Sequence, residues 1–173
     1  VEVASSIPEV KVEAADFSFT IPETISAGWV RIILTNSGTE PHHIQFLRLN
    51  DGVTADQFME ALNQAVGPAL AMVTEVGGVA PIHPGGSASA ILNLLVGDYV
   101  VLCFVPSPSD QIPHLAKGMF KSLKVEAGTS VAAEPPADLT IHLKDFQFDM
   151  PDSLSTGALT VEVINDGPES HEF

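Results

Sequence analysis

Residues 99–124 read YVVLCFVPSPSDQIPHLAKGMFKSLK and hold the only cysteine of a 173-residue chain. Cys103, His114 and Met119 follow one another as C-x10-H-x4-M, between two apolar runs, 91–105 and 120–125, that read as strands. A thiolate, an imidazole and a thioether on one loop suit a soft metal ion, but three ligands are too few. A second histidine from a distant strand completes such a set, and residues 36–43, NSGTEPHH, offer His42 and His43.

Taken together, the two stretches resemble the cupredoxin, or type 1 blue copper, domain. In that family a strand ending near N-x-G-x-x-P-H gives one histidine, and a C-terminal loop gives cysteine, histidine and methionine before the last strand. The pattern stands here as Asn36, Gly38, Pro41 and His42, then Cys103, His114, Gly118 and Met119. The resemblance covers residues 10–126 and implies an all-β, cupredoxin-like Greek-key β-sandwich. It further implies one mononuclear type 1 copper, cycling between Cu(I) and Cu(II), with His42, Cys103 and His114 around it and Met119 in the long axial position. The Cys-to-His spacing is longer than in the small electron carriers. It is closer to that of copper nitrite reductases, whose second histidine the segment HLAKGM also resembles.

A site of this composition suits both copper oxidation states, so an electron can be exchanged with little rearrangement. Leu102 and Phe104 set apolar bulk beside the thiolate, and Pro106, Pro108 and Pro113 stiffen the loop; restricted solvent and a rigid surround tune the potential. The function implied is one-electron transfer outside the cytoplasm (periplasmic, cell-surface or secreted), to a redox partner protein. A metal-free cupredoxin-fold module of a larger exported protein, or a non-catalytic domain of a copper oxidoreductase, is the alternative. In the multicopper enzymes a histidine beside the cysteine leads to a catalytic copper cluster. Here Cys103 stands between Leu102 and Phe104 and there is no His-x-His, so the chain reads as a carrier or binding domain rather than an enzyme.

A repeat organises the chain. A shift of 129 residues aligns 12–42 with 141–171 without a gap, and pairs Asp16 with Asp145, Phe17 with Phe146, Asn36 with Asn165, Gly38 with Gly167, Glu40 with Glu169 and His42 with His171. Residues 1–126 then form one cupredoxin-like domain, 127–138 (AGTSVAAEPPAD) an extended linker, and 139–173 the N-terminal part of a second, truncated copy. Half a β-sandwich cannot bury its own apolar face, so the second copy is expected to be poorly ordered or to borrow contacts. The chain opens on Val1 with no leader pattern and reads as a mature or trimmed fragment of a longer tandem protein.

The repeat also separates the two adjacent histidines. In an extended segment their side chains point to opposite faces, so only one enters the site. His171 aligns with His42, whereas position 43 becomes Glu172; His42 is the ligand candidate and His43 has a supporting or exposed role. His83 reads as a solvated loop histidine, and His142 as a strand-surface residue.

Composition bounds the partners. A net charge of −15, from 22 acidic and 7 basic residues, disfavours nucleic acid and suits either a plain solubility role or a partner with a basic docking face. No stretch reaches the roughly 20 uninterrupted apolar residues of a membrane span. Strands are expected over 10–13, 16–20, 29–36, 43–49, 88–95, 98–105 and 121–126. The capping pattern Thr54-Ala55-Asp56-Gln57 predicts a helix over 55–64, with Pro68 opening a second over 68–76 and a loop over 80–86. Met59 and Met72, on these helices, read as packing residues.

Overall fold

Period-two burial fixes the strands of this computed structural model, which describes residues 7–128, 132–169 and 171. The chain divides into two units, Val1–Ala133 and Glu134–Phe173. In the first, β1 (Glu9–Ala15), β2 (Ser18–Thr20), β3 (Thr24–Ser26), β4 (Gly28–Asn36) and β5 (His42–Leu49) precede helices α1 (Ala55–Gln64) and α2 (Val66–Leu70). Next come β6 (Val73–Ile82), β7 (Ser87–Leu94), β8 (Gly97–Leu102), a single 3-10 turn at His114–Lys117, and β9 (Phe120–Glu126). β4 has the clearest alternation, with Val30, Ile32 and Leu34 buried and the residues between them accessible.

Two sheets result, ordered β2-β1-β4-β7 and β3-β9-β8-β5-β6. β1 runs parallel to β4, with Val12 opposite Leu34, and β3 runs parallel to β9, with Ile25 opposite Val125. Parallel neighbours cannot be joined by a tight hairpin, so the chain crosses between sheets in Greek-key fashion. The core lies between them, and Ile32, Leu34, Ile44, Phe46, Leu94, Tyr99 and Val101 are each at most 1% exposed. Burying one such side chain contributes about 1.5–3 kcal/mol over leaving it in water.

β5 is covered on both faces. Ile44 and Phe46 enter the core between the sheets, while Leu47 and Leu49 pack on the other side with Val100 and Leu102 of β8 and with Phe58 and Leu62 of α1. α1 begins at its expected place: the Gln57 amide donates to Thr54 Oγ1 and the Thr54 amide donates to Gln57 Oε1. This reciprocal pairing satisfies donors that a helix N-terminus leaves free. Met59 and Met72 pack against this second cluster, as expected.

Elsewhere the local pattern misleads. α2 ends at Leu70, and the residues expected as the rest of a helix and a loop form β6, an edge strand antiparallel to β5. Gly77 and Gly78 resemble a helix stop, yet a Cβ at Gly78 would collide with the Ile44 carbonyl of the neighbouring strand. Gly78 serves this close backbone approach across the sheet, invisible from nearby sequence, while Gly77 supplies a positive φ of 114°. β2 starts at Ser18 rather than at Asp16, because Phe17 has φ 64° and turns the chain out of β1. β8 stops at Leu102, which leaves Cys103 just beyond the strand.

The second unit contains β10 (Leu139–Lys144), β11 (Gln147–Asp149) and β12 (Val161–Asn165), ordered β11-β10-β12. β10 runs parallel to β12, with Ile141 opposite Val163. Those residues are the repeat equivalents of Val12 and Leu34. Phe146 has φ 63°, the conformation of Phe17. Among the described residues, no helix is long and apolar enough to cross a membrane.

Candidate metal centre

The turn between β4 and β5 is held by one buried amide. Asn36 Nδ2 donates to the Glu40 carbonyl at 2.8 Å and to the Ile82 carbonyl at 3.0 Å, and its Oδ1 accepts from the Gly38 amide at 2.8 Å. This fixes the five residues between Asn36 and His42, so His42 enters β5 with its ring directed inward and fully buried. A Cβ on Gly38 would lie 2.7 Å from His42 Nε2, which accounts for the glycine of the N-x-G-x-x-P-H pattern.

The second turn is longer but closes on itself. After Cys103, the Ser107 amide donates to the Ile112 carbonyl at 2.9 Å, Gln111 to Ser107 at 2.8 Å, and His114 to Val105 at 2.9 Å. Pro106 and Pro113 form an isolated bridge across the base of the loop. The ten residues between Cys103 and His114 therefore make a side excursion, and the two ligand candidates emerge next to each other. A 3-10 turn follows, ended by Gly118 at φ 100°, and the Met119 amide donates to the His114 carbonyl at 3.0 Å. Met119 and Cys103 are both fully buried members of the core between the sheets.

These two turns bring three donor atoms together. His42 Nδ1 and His114 Nδ1 are 3.0 Å apart, and Cys103 Sγ lies 3.5 Å from His114 Nδ1. All three lie within 4.8 Å of one another, with no solvent exposure of any of the residues. Of the four residues singled out in the sequence, His42, Cys103 and His114 thus share one cluster, and Met119 lies buried directly after the turn that carries His114. Burial pushes the Cys103 thiol up, opposed by backbone amides of His43 and Val105 that donate to the sulfur.

The outer edge of each ring carries a carboxylate. His42 Nε2 lies 3.0 Å from Asp16 Oδ1, and His114 Nε2 lies 2.9 Å from Glu40 Oε2. Asp16 also accepts from the Thr39 hydroxyl at 2.6 Å and the Thr39 amide at 2.8 Å, and these bonds hold it below the usual carboxylate range. A carboxylate accepts only, so each Nε2 bears the hydrogen, and a neutral ring then presents Nδ1 as a lone-pair acceptor. Desolvation lowers the pKa of His42 and keeps its ring neutral. Two acceptors facing each other at 3.0 Å in a dry site repel unless a cation or proton lies between them. The donor set of two imidazoles, a thiol that ionises on binding and a nearby thioether fits a soft metal ion.

His43 is buried rather than exposed. Its Nε2 accepts from the Phe104 amide at 2.6 Å, so it ties β5 to the backbone just after Cys103, and burial lowers its pKa to about 4. His83 is exposed in its loop. His142 pairs with Asp166 at 2.8 Å on an exposed surface. In the second unit, His171 Nε2 lies 2.8 Å from Asp145 Oδ1, and Asn165 donates to the Glu169 carbonyl at 2.7 Å. Sequence reasoning passed over Asp16 and Glu40, although both are identical in the repeat. Ser107 and Phe17 also adjoin the cluster: Ser107 Oγ donates to Glu40 Oε1 at 2.8 Å, and the Phe17 ring meets His114 edge-on at 5.2 Å.

Two sheets with this strand order, a short helical insertion and a His/Cys/His cluster at one end define the fold. It is cupredoxin-like. No protein-family model matches the sequence, and no curated protein is similar to it. Among solved structures, the chain is similar to auracyanin B, at 22% identity over 73% of this chain and 92% of that one, with a TM-score of 0.47. Auracyanin from Roseiflexus castenholzii is similar at 18% identity, over 68% and 96% of the two chains, with a TM-score of 0.45. Rusticyanin from Thiobacillus ferrooxidans is similar at 19% identity, over 70% and 79%, with a TM-score of 0.41.

Proposed function

We propose that the cupredoxin-like unit binds one mononuclear type 1 copper, which His42 Nδ1, Cys103 Sγ and His114 Nδ1 would hold, with the buried Met119 thioether as a fourth, weaker ligand. The observation that carries this reading is the pair of buried imidazole Nδ1 atoms at 3.0 Å beside a buried thiol. Bound there, copper supplies a one-electron couple between Cu(I) and Cu(II). The chain's own residues hold the ligands in one arrangement and keep water out. Asn36 and Gly38 fix His42, and the self-closed loop and Gly118 fix His114.

The function that follows is one-electron transfer to a redox partner protein outside the cytoplasm. The net charge of −15 favours a partner with a basic docking face. Apolar neighbours on both sides of Cys103 support a carrier rather than an enzyme. The second unit is read as the front half of a repeated domain, with the linker at 127–138 before it. Its strand order and the Asp145–His171 and Asn165–Glu169 bonds support that reading.

The test is the visible absorption spectrum after Cu(II) is added to the purified protein, beside Cys103→Ser. An intense thiolate-to-copper band that the variant lacks is the expected result. Absence of a band, together with no copper in metal analysis, sinks the proposal.

A further inference from the structure

Glu40 occupies an unusual position between the two ligand-bearing turns. It sits on the turn that carries His42, yet its side chain reaches the other one: Oε1 accepts from Ser107 and Oε2 from His114 Nε2, at 2.8 and 2.9 Å. Ser107 and His114 are both fully buried, and the Glu40 side chain is 20% exposed. Asp16 does the same for His42, held in turn by Thr39 and by the Glu40 amide at 3.3 Å. Every imidazole in the cluster thus has its outer nitrogen on a carboxylate.

We infer that Glu40 and Asp16 are positioning residues that aim the two imidazoles at the metal and bias the site toward its more highly charged oxidation state. This rests on the copper reading above. A hydrogen bond from Nε2–H to a carboxylate fixes both tautomer and ring orientation and makes Nδ1 a better donor. The adjacent negative charge favours Cu(II) over Cu(I), because the two differ by one unit of charge and the rings between carboxylate and metal site are buried, although the part-exposed carboxylates are themselves partly screened. The couple is a simple one-electron exchange with an external donor, and no bond to another molecule forms or breaks.

The two carboxylates differ in origin. The Asp16–His42 bond recurs as Asp145–His171 at 2.8 Å, on a three-strand sheet of its own, so it belongs to the local β1-β2-β4 fold. The Glu40 contacts need the Cys103–His114 loop, and Glu40 is therefore the residue that couples the two turns. Its removal should release His114 while leaving His42 held.

Glu40→Gln keeps the shape and removes the charge, whereas Glu40→Ala removes the latch. In the copper-loaded protein, Glu40→Gln is expected to weaken Cu(II) binding by about 10- to 100-fold, with a smaller loss for Cu(I). Each tenfold difference between the two losses raises the one-electron potential by about 59 mV. In the metal-free protein, nitrogen NMR should find His114 held as the Nε2–H tautomer in the wild type and in a tautomeric mixture in Glu40→Ala. An unchanged potential in Glu40→Gln with an unchanged His114 tautomer in Glu40→Ala, in a wild type that shows the copper band, overturns the inference. A wild type with no copper band overturns the copper reading itself.

Discussion

His42 Nδ1 faces His114 Nδ1 across 3.0 Å with neither ring reaching solvent, and each ring is anchored from behind by a carboxylate. With both outer nitrogens bearing hydrogen, two lone pairs face each other there unless a proton or a metal ion lies between them. A metal ion bound there takes up both lone pairs, so metal binding and folding should be linked.

Copper at 100 times its dissociation constant should therefore stabilise the protein by about 2.7 kcal/mol. For a chain of this size that is a rise of about 5–10 °C in melting temperature. Calorimetry with and without a chelator measures it. His42→Ala should abolish the rise. His171→Ala should keep it, with one equivalent of copper still bound, because His171 has Asp145 behind it but no described thiol or second imidazole beside it. A rise that survives in His42→Ala would remove His42 from the ligand set.

His43 tests how the cysteine is held. Its Nε2 accepts from the Phe104 amide at 2.6 Å, and the ring lies edge-on to Phe104 with centroids 6.2 Å apart. His43→Ala leaves a buried N–H without its partner, at a cost of about 1–3 kcal/mol. Urea unfolding should register that loss, and hydrogen exchange at the Phe104 amide should accelerate. A loss below about 0.5 kcal/mol, with exchange unchanged, would mean that water replaces the imidazole freely.

The ligand candidates were legible because each sits in a spaced pattern of residue types, and the central strands because β4 is rich in β-branched and apolar residues and β8 carries an apolar run into Cys103. α1 was legible from its cap. What the sequence concealed depends on contacts between distant segments. β6 passes close to β5 at Gly78, after Gly77 at φ 114°, and no local feature separates that pair from a helix stop. Asp16 and Glu40 looked like ordinary surface acids in a chain with 22 of them. Only the fold brings residue 16 against residue 42 and residue 40 against residue 114. The repeat held a signal, since Asp16 and Glu40 are both preserved in it, but repetition alone does not say what a residue touches.

Two glycines of the site serve different physical needs, and substitution should separate them. Gly38 has ordinary backbone angles, but a Cβ there would stand 2.7 Å from His42 Nε2 and against Asp16 Oδ1. Gly118 has open space around it but φ 100°, a conformation that L side chains rarely adopt. Gly38→Ala should force His42 and Asp16 apart, with an overpacking cost of about 1–3 kcal/mol and a marked loss of copper affinity, since the ring it moves is a ligand. Gly118→Ala should cost about 1–2 kcal/mol from the backbone alone. It should also disturb the turn between His114 and Met119, and so change the copper spectrum more than the affinity. Denaturant unfolding and copper titration of both variants measure this. Equal losses of affinity in the two would show that the turn after His114 matters as much to binding as the orientation of His42, contrary to this expectation.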